Sequence, residues 1–233
     1  MSAKKYAIIG GSTGIGLALV QRLSESGHQV LVISRTAEAL ATLENVEHIA
    51  CDLSQDEVSA EWFGDTLDGL AYCPGTINLR SFRSLSPQLF RDDFELNVVG
   101  AVKVIQAALK PLKASGHGSV LLFSTVAVTQ GMGFHASIAA SKGAIEGITR
   151  SLAAELAPQI RVNALAPSLT ETPLSERLVS NDEKRKVAGD RHALKRIGQP
   201  EDFADLGELL LTDAGSWITG QVIGVDGGLS TLR

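Results

Sequence analysis

Short runs of aliphatic and β-branched residues recur along the chain at Tyr6–Ile9, Val30–Ile33, Glu47–Ala50, Leu70–Tyr72, Ser119–Phe123, Arg161–Leu165 and Val222–Val225. Most are continuously apolar rather than alternating, the pattern of strands covered on both faces. Longer stretches with helical spacing lie between them; in Ile15–Ser26 the apolar stripe comes from Ile15, Leu17, Ala18, Leu19 and Leu23. Strand and helix in alternation, joined by short turns, predict an α/β fold: a parallel sheet with right-handed crossovers. The long irregular stretch is Pro167 to Pro200. It is polar, lies between two core strands and is expected to form a lid or binding loop at about 168–199 with a helix of its own.

Length and composition narrow the class. A chain of 233 residues fits one domain, and no linker, repeat or low-complexity tract divides it, so residues 1–233 read as a single unit. A net charge of −5 gives no footprint for nucleic acid or for an anionic membrane. No stretch approaches membrane-span length, and Cys51 and Cys73 sit in apolar runs without metal-ligand spacing. The expected setting is cytoplasmic and reducing, with no metal.

The first strand ends in Gly10-Gly11-Ser12-Thr13-Gly14-Ile15-Gly16, and a helical pattern follows at once. Glycines at 10, 14 and 16 let the backbone turn tightly and approach a pyrophosphate without Cβ clashes. The free N–H groups and positive end of the next helix complete the cradle, with Ser12, Thr13 and Ile15 in the loop. A dinucleotide-binding Rossmann fold is the expectation. The second strand ends Ser34-Arg35, where an NAD-selective site carries a carboxylate for the ribose hydroxyls. A guanidinium suits a 2′-phosphate, so NADP(H) is expected in preference to NAD(H). After the third strand, Asp52 can meet the adenine amino group and Leu53 can pack on the ring.

From these residues onward the chain resembles the short-chain dehydrogenase/reductase family over nearly its whole length. Gly10, Gly14, Ile15 and Gly16 meet the family's glycine pattern, with Ile9 in place of its threonine. Tyr72-Cys73-Pro74-Gly75 stands where the family has Asn-Asn-Ala-Gly, and the helix asparagine is Asn97. An Asn followed so closely by Gly100 also predicts a local irregularity in that helix. Arg161 to Pro167, Leu169, Thr170 and Thr172, and Thr219-Gly220-Gln221 with Val225-Asp226-Gly227-Gly228 continue the likeness. The resemblance implies a doubly wound, seven-stranded parallel sheet with helices on both faces. It also implies hydride transfer with a small-molecule substrate, and a homodimer or homotetramer. Ala136, Ala140, Gly143 and Gly147 form a small-residue stripe suited to such pairing.

The family's active site pairs a serine with Tyr-x-x-x-Lys. Lys142 matches the lysine and Thr125 takes the serine position, but Ile138 takes that of the tyrosine. Ile138 has no proton to give, so cofactor binding through Lys142 survives better than catalysis. His135, Ile138 and Lys142 are spaced three then four apart, on one face if the helix starts early enough. His135, or a water it holds, is therefore the expected proton source. The expected activity is NADP(H)-dependent carbonyl/alcohol interconversion. The alternatives are enoyl-type C=C reduction, for which a basic segment Lys184–Arg196 would suit an acyl carrier or CoA, and an impaired protein that only binds NADP(H).

Overall fold

The computed structural model describes residues 3–232. Seven parallel strands form one sheet in the order β3-β2-β1-β4-β5-β6-β7. They are β1 Lys5–Ile9, β2 Gln29–Ser34, β3 Val46–Ala50, β4 Gly69–Tyr72, β5 Gly118–Phe123, β6 Ile160–Pro167 and β7 Val222–Val225. Every predicted strand is present, most of them extended by a residue or two. Chain order reverses between β1 and β4, which opens a crevice beyond the carboxyl ends of the strands.

Alternate residues of each strand feed two cores. On one face Ala7, Ile9, Leu31, Leu70, Val120 and Val162 pack with Val104, Ala108 and Leu112 of α3 (Gly100–Ala114) and Ile145, Ala153 and Leu156 of α4 (Ala136–Leu156). On the other, Tyr6, Ile8, Val30, Val32, Leu121 and Phe123 meet Leu19, Val20 and Leu23 of α1 (Gly14–Glu25). Phe203, Leu210 and Leu211 of α6 (Glu201–Leu211) close that second layer. The two edge strands, β3 and β7, are the exceptions, being only half-buried.

Two segments depart from regular structure near the crevice. A short α2 (Pro87–Phe94) runs through a π turn, Glu95–Val99, into α3, so the irregularity expected around Asn97 is present. Between β6 and α6 the chain forms a 3₁₀ turn at Pro173–Leu178 and α5 (Asp182–Asp190). Among the described residues no helix is long and apolar enough to cross a membrane, and no group of His, Cys, Asp or Glu could hold a metal ion.

Candidate functional site

The loop after β1 is built around its glycines. Gly10 and Gly14 have φ of 71° and 55°. A Cβ on Gly16 would stand 2.4 Å from the Gly10 carbonyl oxygen, so residue 16 must lack one for the loop to fold onto α1. No side chain caps the N-terminus of α1, and its first turn contains no acidic residue. Its leading N–H groups are left to an anion. Ser12 and Thr36 hydroxyls lie 3.2 Å apart and tie this loop to the end of β2.

Ser34 is buried at the end of β2, donates to the Thr36 carbonyl oxygen at 2.8 Å and lies 3.1 Å from His48 Nε2 on β3. Arg35 is exposed and has no carboxylate within ion-pair distance among the described residues. Asp52 accepts from the Ser54 hydroxyl and N–H, which hold its carboxyl below the usual carboxylate range. Leu53 is half-buried against the core. Ser34, Arg35, Asp52 and Leu53 thus lie together at the ends of β2 and β3, outside the wall of the main cleft.

That cleft has a volume of about 970 Å³ and runs from Ile15 beneath the 168–199 segment. Cys73, Gly75, Thr125, His135, Ile138, Lys142, Pro167, Leu169, Thr170 and Thr172 all line it. Pro74 packs against Gly10, where a Cβ would lie 3.1 Å from its ring. Thr125 accepts from the Ala127 N–H at 3.3 Å, starting the turn after β5. Ile138 and Lys142 are one turn apart on α4, 5% and 8% exposed. Burial lowers the Lys142 pKa to about 8, and burial also raises that of the neighbouring Cys73 thiol. The thiol therefore stays protonated and supplies no counter-charge to the ammonium.

Asn97 is fully buried in the π turn. Its Nδ2 donates to the Asp93 carbonyl oxygen at 2.7 Å and to Thr76 Oγ1 at 3.0 Å, while Oδ1 has no partner. A Cβ on Gly75 would lie 3.4 Å from that Oδ1 and 3.5 Å from Lys142 Nζ. Both atoms converge on the backbone of residue 75. Beneath them the buried Asp93 carboxylate accepts from Thr76, Asn78 and Ser137, joining the β4 turn to α2 and α4. Nothing in the local sequence signals this clamp, because its donors lie 15 to 44 residues away.

His135 requires a correction. Helix α4 begins at Ala136, so His135 stands just before it with φ −100° and ψ 13°, and only Ile138 and Lys142 share the expected helix face. Its Nδ1 is held 2.7 Å from the Gly133 carbonyl oxygen. Phe134 next to it has a left-handed φ of 69°, which prevents the helix from starting earlier. The basic segment also differs from a free cationic surface. Arg185 pairs with Glu171 and Asp182, Lys186 with Asp190, and Arg196 with Asp202.

A sequence model described as Enoyl-(Acyl carrier protein) reductase matches residues 10–230. A tropinone reductase homolog from Arabidopsis thaliana is 33% identical over 99% of this chain and 92% of its own length. The chain belongs to the short-chain dehydrogenase/reductase family.

Other members of this short-chain dehydrogenase/reductase family are similar along their whole length. L-xylulose reductase from Bos taurus is 30% identical, covering 98% of this chain and 97% of its own. Among solved structures, the ligand-free aldohexose dehydrogenase of Thermoplasma acidophilum superposes with a TM-score of 0.88 at 26% identity, covering 99% of this chain and 95% of its own. A structure from Beutenbergia cavernae, described as an NAD(P)-dependent gluconate 5-dehydrogenase with bound NADP at low occupancy, gives 0.90 at 29%, covering 98% and 97%. The family explains why a glycine cradle, a buried lysine and a buried asparagine meet at one sheet edge. Asp93, Ser168 and His192 stand outside the sequence motifs read above, and the fold brings them to the site.

Proposed function

We propose that the protein is an NADP(H)-dependent oxidoreductase that interconverts a small carbonyl compound and its alcohol. The observation that carries this reading is the convergence of Lys142 Nζ and Asn97 Oδ1 on Gly75, in the wall of a cleft continuous with the glycine cradle. The Gly10–Gly16 backbone and the open end of α1 would hold the pyrophosphate of the dinucleotide. Arg35, with Ser34 beside it, would take a 2′-phosphate, and no carboxylate at the end of β2 opposes one. NAD(H) would lack that contact. Asp52 and Leu53 border the adenine, and Pro167, Leu169, Thr170 and Thr172 border the nicotinamide end.

The dinucleotide supplies the hydride when bound. Lys142 holds the ribose hydroxyls, Thr125 orients the substrate oxygen, and Asn97 fixes the backbone of the β4 turn. Residue 138, which the family pattern assigns to an acidic phenol, is here a buried isoleucine. The proton therefore comes from another group, and the same observation supports a second reading, a protein that binds the coenzyme without turning it over. Enoyl thioester reduction is the alternative chemistry: Arg185, Lys186 and Arg196 are engaged in ion pairs, whereas Lys184 and Arg191 line the cleft without a carboxylate partner among the described residues.

Fluorescence titration with NADPH and NADH, followed by NADPH oxidation against ketones, aldehydes and enoyl thioesters, tests the reading. Tighter binding of NADPH and turnover of ketones or aldehydes are expected. Binding without turnover establishes the second reading, and failure to bind either coenzyme refutes both.

A further inference from the structure

Two histidines border the cleft, and they are held differently. His135 sits half-exposed at the rim, whereas His192, in the turn after α5, is only 3% exposed. His192 Nδ1 lies 2.9 Å from the Ala188 carbonyl oxygen. A carbonyl only accepts, so Nδ1 carries the proton and Nε2 of the neutral ring is an acceptor. Ser168 Oγ lies 2.8 Å from Nε2 and donates to it. Gly227 packs against the ring, where a Cβ would come within 3.5 to 3.7 Å of it. A hydroxyl, a base and a group orienting that base therefore stand in line, the arrangement that makes a serine proton mobile.

The hydroxyl is at the reacting end of the cleft. Ser168 follows Pro167, whose carbonyl oxygen accepts from Thr125 Oγ1 at 3.4 Å. Ser168 and His192 line the same cleft as Thr125, Ile138 and Lys142. Resting on the oxidoreductase reading above, we propose that Ser168 delivers the proton to the substrate oxygen and that His192 replenishes Ser168.

The balance is simple. The carbonyl carbon receives the hydride of the bound reduced nicotinamide, and the π pair of the C=O bond moves to oxygen. The Ser168 O–H bond breaks, its proton goes to that oxygen, and Oγ takes the Nε2 proton of a His192 imidazolium. His192 is left neutral with its proton on Nδ1, where the Ala188 carbonyl oxygen accepts it, and solvent returns the missing proton. In reverse, Ser168 passes its proton to Nε2 as it takes the proton of the substrate alcohol, while hydride leaves to the oxidised nicotinamide.

The test compares the full-length protein with S168A, S168T, H192Q and H135A. NADPH affinity by fluorescence is expected to stay within about twofold of the parent in S168A, S168T and H192Q. S168A and H192Q should lose kcat on the order of 100-fold or more with KM little changed, the scale of a lost general acid. S168T, which keeps a hydroxyl, should recover most of the rate. Independently of activity, ¹⁵N spectra of the histidine side chains should show the resonance removed in H192Q to be an Nδ1–H tautomer, shifted in S168A. Near-parental turnover by S168A, or a neutral His192 whose single ring proton is on Nε2, overturns the route and leaves the oxidoreductase reading standing. Loss of turnover in H135A with S168A unaffected also overturns it in favour of His135. A parent protein that binds NADPH and reduces nothing refutes the oxidoreductase reading and the route together.

Discussion

Lys142 shows what the site costs the fold. Burial strips water from its ammonium and lowers its pKa from 10.5 to about 8, and the protonated Cys73 offers no compensation. Between about pH 8 and 10.5 the unfolded chain binds more protons at this position than the folded one. Stability therefore rises with pH across that window; the penalty is fully present below pH 8 and gone above 10.5. A shift of this size corresponds to about 3 kcal/mol. Lys142→Met removes the penalty, so the variant is expected to be more stable than the parent by that order at pH 7, with the difference vanishing by pH 10.5. Denaturant unfolding at both pH values measures it, and an advantage that did not shrink with pH would show that the ammonium is not the cause. The same variant should bind NADPH more weakly, since a lysine kept at such a cost fits a coenzyme contact. Lys142 and Ile138 were legible because the family's Tyr-x-x-x-Lys pattern falls on them. The His192 and Ser168 pair was not, because 24 residues separate two side chains that only the folded cleft brings together.

The π turn at Glu95–Val99 makes the same point for an element. The close Asn97 and Gly100 spacing marks the helix as irregular, but the cause lies on β4. Tyr72 Oη donates to the Leu96 carbonyl oxygen at 2.6 Å, and the Gly100 N–H turns to Glu95 instead. Gly100 makes room for this, since a Cβ there would lie 2.4 Å from Tyr72 Oη. The extra residue in the turn rotates Asn97 toward Thr76 and Gly75. Tyr72→Phe leaves the half-buried Leu96 carbonyl without its partner, and a loss of about 1 kcal/mol in unfolding free energy is expected. Hydrogen exchange should quicken across residues 95–100 specifically. A variant as stable as the parent, with unchanged exchange there, would mean that the tyrosine merely fills space. The central strands, by contrast, were readable because burial on both faces writes a nearly unbroken apolar run into the local sequence of β1, β2, β4 and β5. The turns that shape the site depend on partners in other strands and helices and leave no such local record.

At the scale of the molecule, helix α4 presents two unlike faces. Ile145, Thr149, Ala153 and Leu156 are buried against the sheet. Ala136, Ala140 and Gly147 are exposed, nothing lies within 4 Å of where a Cβ of Gly147 would be, and only Val128 approaches Gly143, at 3.8 Å. The small residues are thus not there to admit a neighbouring helix of the same chain. They leave a shallow face along a 21-residue helix, over which a second copy can lay the same face about a two-fold axis. We predict that the protein is a dimer or a tetramer through this surface. Gly147→Trp places an indole where two backbones would approach, and should shift the species seen by size-exclusion chromatography with light scattering to the monomer. NADPH affinity should be retained, because Gly147 lies more than one turn beyond Lys142 and does not line the cleft. A monomeric parent at micromolar concentration would leave the stripe without a function, and an assembly indifferent to the tryptophan would move the contact to another face.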